Sequence, residues 1–130
     1  MTLLYNMKNF LIILTIMLLV DIIYLKSISM YFGKQISMIQ NSPMILNIPS
    51  SLLCYLFLSF GLYYFIIKDN KSLLDAFLLG VVIYGVFEAT NKALFTKWKW
   101  FTVLLDTVWG GILFLLTTYI YIVMKSIKNY

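Results

Sequence analysis

The sequence predicts an all-α integral membrane bundle of four transmembrane helices. Its 130 residues are 62% hydrophobic and only 12% charged, whereas a soluble domain carries roughly 25% charged residues. A helix needs about 20 residues to cross a bilayer core of about 30 Å, and four apolar stretches are close to that length. No long segment alternates apolar and polar residues with period two, as the strands of a membrane barrel do. We therefore expect one domain, residues 1–130, in which lipid is the main solvent.

The first two spans differ in their polar content. The first covers about residues 9–30 and is interrupted by Asp21 and Lys26. The second covers about residues 49–67, has no charged residue, and carries Pro49 at a position suited to the first turn of a helix. The second span is therefore the clearest membrane helix in the chain.

The last two spans begin at recognisable start signals. The third covers about residues 72–91, where Ser72 followed three residues later by Asp75 has the spacing of a capping box. The fourth covers about residues 100–124. Trp98 and Trp100 mark its start, since tryptophan is enriched where a helix enters the membrane. Both spans are long enough to cross the bilayer as helices.

The connections between the spans indicate how the helices follow one another. Residues 68–71 form a tight turn, which predicts that the second and third helices are antiparallel neighbours. The longer connection of about residues 31–48 mixes apolar and polar side chains and is expected to lie in the membrane interface, partly helical, with Pro43 and Pro49 limiting its helix.

The residue inventory excludes several function classes. The chain has no His and a single cysteine, Cys54, which excludes His/Cys metal clusters, Ser-His-Asp and Cys-His catalysis, and disulfides within the chain. We expect Cys54 to be a small packed residue, and we expect no cofactor. The ten lysines stand singly at the ends of apolar runs, a distribution typical of membrane anchoring and unlike a nucleic-acid surface.

The lysines do not define the orientation of the bundle. We call side A the membrane side with both chain ends and the 68–71 turn, and side B the opposite side. Each side carries five lysines, so the positive-inside rule does not discriminate between them. We expect both termini to be cytoplasmic, in a cell membrane or in an internal or virion membrane.

Three acidic residues fall inside or near the ends of apolar helices: Asp21, Glu88 and Asp106. An ionised carboxylate at mid-bilayer costs roughly 2.5 to 3.5 kcal/mol on insertion scales. The first and third helices exit on side B after Asp21 and Glu88, and the fourth enters there shortly before Asp106. All three acids are therefore predicted to lie in the side B half of the membrane and to share one polar cluster.

Polar neighbours at helical spacing place each acid on a polar face. We expect Lys26 and Lys92 to be near enough in depth to act as counter-ions, and we expect Gly110 and Gly111 to admit a neighbouring helix closely. The complete candidate cluster consists of Asp21, Tyr24, Lys26, Tyr84, Glu88, Thr90, Asn91, Lys92, Asp106 and Trp109.

The polar motifs resemble a known family. They are Asp21-Ile-Ile-Tyr-Leu25, Tyr84-Gly-Val-Phe-Glu-Ala-Thr-Asn91 and Asp106-Thr-Val-Trp-Gly110. Together they are similar to the domain-of-unknown-function 2177 family of small polytopic membrane proteins, over most of the chain. The family usually shows Tyr-Asp where this chain has Phe87-Glu88. The resemblance implies a four-helix membrane protein and no established activity.

Three functions remain open from the sequence. The leading one is a structural or assembly role, in which the cluster locks helices one, three and four together. The second is an oligomeric ion or proton channel, or a small transporter, that uses the same cluster. The third is a lipid-acting enzyme, for which the sequence supplies no nucleophile, so we expect no enzyme. The expected partners are the lipid bilayer and either further copies of the chain or another membrane or assembly protein.

Overall fold

A computed structural model describes residues 2–128 and confirms an all-α fold with four helices long and apolar enough to cross a membrane. The second helix ends in a π-helical segment, Tyr63–Ile67. The helices are α1 (Thr2–Gln40), α2 (Ile48–Leu62), α3 (Leu73–Leu94) and α4 (Trp100–Lys128).

Local hydrogen bonds fix where the helices begin. The Asn47 side chain accepts a 3.0 Å bond from the backbone N–H of Ser50 and so caps α2, whose first turn contains Pro49. The predicted capping box of α3 is confirmed, because Ser72 accepts a 3.0 Å bond from the Asp75 N–H and Asp75 accepts one from the Ser72 N–H. These caps satisfy backbone donors that the first turn leaves unpaired.

Helix α1 is much longer than the sequence suggested. It runs without interruption through residues 31–40, which we expected to belong to a partly helical interfacial connection, and only residues 41–47 link it to α2. The helix stops where Asn41 adopts a left-handed backbone conformation with φ 56°. At about 1.5 Å per residue its 39 residues span about 58 Å, so α1 projects well beyond the bilayer core.

Small residues bring α3 and α4 into the closest contact in the bundle. A Cβ atom on Gly80 would lie 2.1 Å from the Gly110 carbonyl oxygen, and one on Gly111 would lie 2.6 Å from the Phe77 ring. The prediction that Gly110 and Gly111 admit a neighbouring helix is therefore confirmed, and that helix is α3. Close backbone approach of this kind is a common basis of helix packing in membranes.

Helix α2 has its closest helix contacts with α1. The close helix pairs are α3 with α4, α1 with α4, and α1 with α2. The 68–71 turn connects α2 to α3, as predicted, and a Cβ on Gly61 of α2 would lie 4.0 Å from the Ile83 side chain of α3. Cys54 on α2 is exposed, so its predicted packed position is wrong.

The side A half of the bundle has an apolar core and an apolar outer surface. Fully buried side chains include Ile13 and Met17 on α1, Leu62 on α2 and Phe114 on α4. Large apolar side chains are also exposed on every helix, as expected of surfaces that face lipid chains. This half contains none of the three acids of the spans.

Candidate functional site

Asp21 on α1 joins three helices. Its Oδ1 accepts a 2.8 Å hydrogen bond from the indole Nε1 of Trp109 on α4, and its Oδ2 accepts a bond from the hydroxyl of Tyr55 on α2. The Asp21 side chain is 5% exposed. Both carboxyl oxygens therefore accept a hydrogen bond from a neutral donor.

Asp106 on α4 lies one helical turn from Trp109 and faces α1. Tyr24 donates a 3.1 Å hydrogen bond to Asp106 Oδ1, and its ring stacks on Trp109 with centroids 4.4 Å apart and planes 11° apart. Tyr24 follows Asp21 by three residues, so both side chains leave the same face of α1. A continuous polar contact therefore runs from α2 through α1 to α4.

Glu88 lies on α3 and brings this last helix into the polar contact. Its side chain is fully buried, and its carboxyl group is near enough to Asp106 for the two acids to interact. Its Oε2 accepts a 2.7 Å bond from the Nε1 of Trp98, whereas its Oε1 has no hydrogen-bond partner. An unpaired buried carboxylate oxygen is costly, so this end of the cluster is incomplete without a donor.

The two lysines expected as counter-ions do not reach the acids. The Lys26 side chain is exposed, and the Nζ of Lys92 donates to the backbone oxygens of Trp98, at 2.7 Å, and Thr96. Within residues 2–128 no lysine forms an ion pair with a carboxylate. The expected pairing is wrong because the Lys26 side chain stays exposed and the Lys92 ammonium group binds backbone carbonyls of the segment after α3.

The remaining candidates from the sequence fall into two groups. Tyr84 packs over Gly110 at the base of the cluster, where a Cβ on that glycine would lie 2.2 Å from the tyrosine ring. Thr90 is exposed and donates to the Val86 carbonyl of its own helix. The Asn91 carbonyl accepts the backbone N–H of Phe95 and ends α3. The structure therefore brings Tyr84 to the acids, and it gives Thr90 and Asn91 contacts within their own segment.

We call the three acids with Tyr24, Tyr55, Trp98 and Trp109 the carboxyl cluster. Two of these members were not expected from the sequence. Tyr55 is the single tyrosine of α2, and only its contact with Asp21 distinguishes it from the other tyrosines of the chain. Trp98 was interpreted as an interfacial residue, but it is 6% exposed and turns inward to Glu88. The signal available was its position ten residues after Glu88 across a short loop.

A second polar contact lies toward the side B end and contains no charge. The Oε1 of Gln35 accepts a 2.9 Å bond from the Lys99 N–H and a 3.0 Å bond from the Thr102 hydroxyl. The Tyr31 hydroxyl lies 2.9 Å from the Thr102 hydroxyl. We call Tyr31, Gln35 and Thr102 the neutral cluster. It fastens the projecting part of α1 to the start of α4.

The carboxyl cluster also borders an open groove between α1 and α2. The groove has a volume of about 590 Å³, and Asp21, Tyr55 and Tyr84 contribute to its lining. Its other lining residues are mostly apolar, with Asn47, Ser50 and Ser51 where α2 begins. Within residues 2–128 no three acidic or thiol side chains converge closely enough to hold a metal ion.

Comparison with known proteins gives one match. Residues 6–123 match the family model described as "Predicted membrane protein (DUF2177)". No curated protein and no solved structure is significantly similar to the chain. The match includes all three acids and almost the whole of the four-helix bundle. The chain therefore belongs to the domain-of-unknown-function 2177 family of membrane proteins.

Proposed function

We propose that the protein is a small proton-binding transporter whose working group is the carboxyl cluster. The observation that carries the proposal is the absence of any cation among the contacts of three clustered acids. Asp21, Glu88 and Asp106 are all buried, and their partners within residues 2–128 are neutral tyrosine and tryptophan donors. Ionisable groups in this position commonly mark proton and ion pathways.

The pairing of Glu88 with Asp106 supports the binding of a proton. Two neighbouring ionised carboxylates repel one another strongly in an apolar interior. One proton removes this repulsion and provides the donor that a pair of acceptors lacks. The unpaired Oε1 of Glu88 is an available site for it. We therefore assign the exchangeable proton to this pair.

Exchange of that proton requires a local movement. Glu88 is fully buried, and the indole of Trp98 covers one of its oxygens. Trp98 belongs to the short segment between α3 and α4, which ends at the side B surface. Displacement of this indole would give Glu88 access to water without separating the tightly packed α3 and α4.

The structural role is the second candidate, and the same hydrogen bonds favour it. The contacts of Asp21 and Asp106 connect α1, α2 and α4, so the cluster also contributes to holding the helices together. A purely structural cluster needs no ionisable group, because amides and hydroxyls make the same contacts. The presence of three acids in the cluster therefore favours proton binding over a purely structural role.

The proposal includes self-association and a membrane orientation. Four helices leave little room for a path within one chain, so transport is assigned to a homo-oligomer, which chemical crosslinking in liposomes would detect. Both termini are placed in the cytoplasm. An impermeant maleimide applied to intact cells should then label Lys34→Cys and leave Lys128→Cys unlabelled, each in a Cys54→Ser background, and the reverse pattern would invert the orientation.

The decisive experiment is proton uptake into proteoliposomes, followed with an internal pH dye under an imposed potential. We expect uptake by the wild-type protein and by Asp69→Asn, in which an exposed acid of the 68–71 turn is changed. Glu88→Gln and Asp106→Asn should abolish uptake while remaining folded. Equal uptake by folded Glu88→Gln protein would contradict the proposal, and no uptake by wild type above empty liposomes would leave the structural role as the better one.

A further inference from the structure

We infer that the groove between α1 and α2 binds a hydrophobic organic cation, with the positive centre of the ligand at Asp21. This inference names the substrate class of the proposed transporter and rests on that function. It is carried by the location of one acidic side chain at the edge of a mostly apolar groove.

The dimensions of the groove suit a small organic molecule. Its volume of about 590 Å³ falls within the about 300–1,000 Å³ of typical ligand sites. Leu18, Ile22 and Leu25 of α1 line one wall, and Leu52 and Leu58 of α2 line the other. These walls would contact the apolar part of a ligand.

The polar groups of the groove lie at its two ends. Asn47, Ser50 and Ser51 stand at the start of α2, near side B. Asp21 and Tyr55 lie further along the helices, because Tyr55 follows Ser51 by about one turn. A ligand could therefore enter from the headgroup level and move inward toward the carboxylate.

The electrostatics of Asp21 select a positive ligand. Tyr55 and Trp109 satisfy its two oxygens but bring no charge, and no lysine of the described chain compensates it. The rings of Tyr55 and Tyr84 also line the groove. Aromatic faces attract cations, most strongly in sites from which water is excluded. Carboxylate and rings together therefore favour an organic cation.

A second groove provides an internal comparison. It lies between α1 and α4 toward side A, has a volume of about 700 Å³, and is lined by apolar residues with Thr15 and the terminal Lys8. No acid lines it. This groove has the chemistry of a surface covered by lipid chains, so size and apolarity alone do not distinguish the α1–α2 groove. The difference between the two grooves is the carboxyl group of Asp21.

Cys54 provides a direct reporter of occupancy. It is the single cysteine of the chain, it is exposed, and it lines the α1–α2 groove. A bound ligand would cover its thiol and slow alkylation by N-ethylmaleimide. The reporter requires no engineered residue and reads binding without any transport.

The test measures the rate of Cys54 alkylation in purified protein with tetraphenylphosphonium as the cationic probe and triphenylphosphine oxide as a neutral aromatic control. We expect the cation to protect Cys54 and the neutral compound to give little protection. Asp21→Asn should weaken protection by the cation by about tenfold or more, because it removes the charge at close range. Asp69→Asn should bind like wild type.

Two outcomes would overturn the inference. Equal protection by the neutral compound would show that the groove recognises apolar bulk, and absence of protection by the cation would show that the groove does not take this ligand class. Both readings come from the wild-type protein, so they do not depend on the folding of a variant. Proton uptake lost in Glu88→Gln would still support the proposed function, which separates failure of the ligand from failure of the transporter.

Discussion

The carboxyl cluster and the neutral cluster fasten the same two helices in different ways. In each, one side chain of α1 accepts two hydrogen bonds, with Asp21 at one level and Gln35 about four turns further along. The neutral cluster joins α1 to α4 with an amide and hydroxyls. The carboxyl cluster uses three acids whose partners in residues 2–128 include no lysine, and it lies deeper in the bundle. The contrast shows that helix attachment needs no acid, so the acids require another explanation.

The largest loss of stability should come from separating α3 from α4, because α4 carries residues of both clusters. Gly80→Ala places a Cβ 2.1 Å from the Gly110 carbonyl oxygen, so α3 and α4 must separate, with an expected loss of about 3 kcal/mol in stability. Thermal unfolding in detergent measures it. Gly85→Ala is the matched control, because its Cβ would meet Thr107 at an ordinary 3.5 Å. Similar stability of the two variants would contradict the assigned α3–α4 contact.

The next-largest loss of stability should come from removing either hydrogen-bond acceptor of α1, Asp21 or Gln35. Asp21→Leu and Gln35→Leu each deprive two donors of their partner, so each should lower stability by about 1–3 kcal/mol. Chemical denaturation of both proteins provides the comparison. Only Asp21→Leu should lose protection of Cys54 by tetraphenylphosphonium. A more stable Asp21→Leu protein would show that the carboxylate is kept at a net structural cost, and its role as a helix contact would then be wrong.

A smaller loss of stability is expected for Glu88→Gln, a variant that should lose proton uptake. Glu88→Gln supplies a permanent N–H donor next to Asp106 and retains an acceptor for Trp98, so stability should change by no more than about 1 kcal/mol. Glu88→Leu leaves the Trp98 indole without its acceptor and should be less stable. If Glu88→Gln proved as unstable as Glu88→Leu in thermal unfolding, the assigned proton between Glu88 and Asp106 would be contradicted.

The smallest effect concerns a lysine that the sequence placed in the cluster. The Lys26 side chain is exposed and contacts no acid, so Lys26→Gln should change stability by less than about 0.5 kcal/mol. Proton uptake and Cys54 protection should also be unchanged. A large loss in either assay would mean that Lys26 moves to the acids during function.

Hydropathy predicted most of the fold, because the membrane strongly limits what an apolar stretch of this length can form. The four spans and the common level of Asp21, Glu88 and Asp106 followed from helix length and chain direction. The length of α1 was missed, since residues 31–40 are too polar to indicate a span and their helix is held by Gln35 and Tyr31 against α4. Such contacts are tertiary and leave no local pattern.

The composition of the site was predictable only in part. The acids and Trp109 were found because polar residues are rare in apolar helices. Tyr55 and Trp98 were missed because tyrosine and tryptophan are common in membrane proteins and usually lie at the interface. Lys26 and Lys92 were included wrongly, since depth alone does not determine which way a long flexible side chain points.

The uninterrupted length of α1 has a mechanical consequence. The helix has no break between Asp21, inside the bundle, and residues 36–40, which lie beyond the neutral cluster. Because the helix has no hinge, displacement of its projecting end would also displace the segment that carries Asp21. A contact made with that end at the membrane surface would therefore be coupled to the geometry of the carboxylates without any group entering the bilayer.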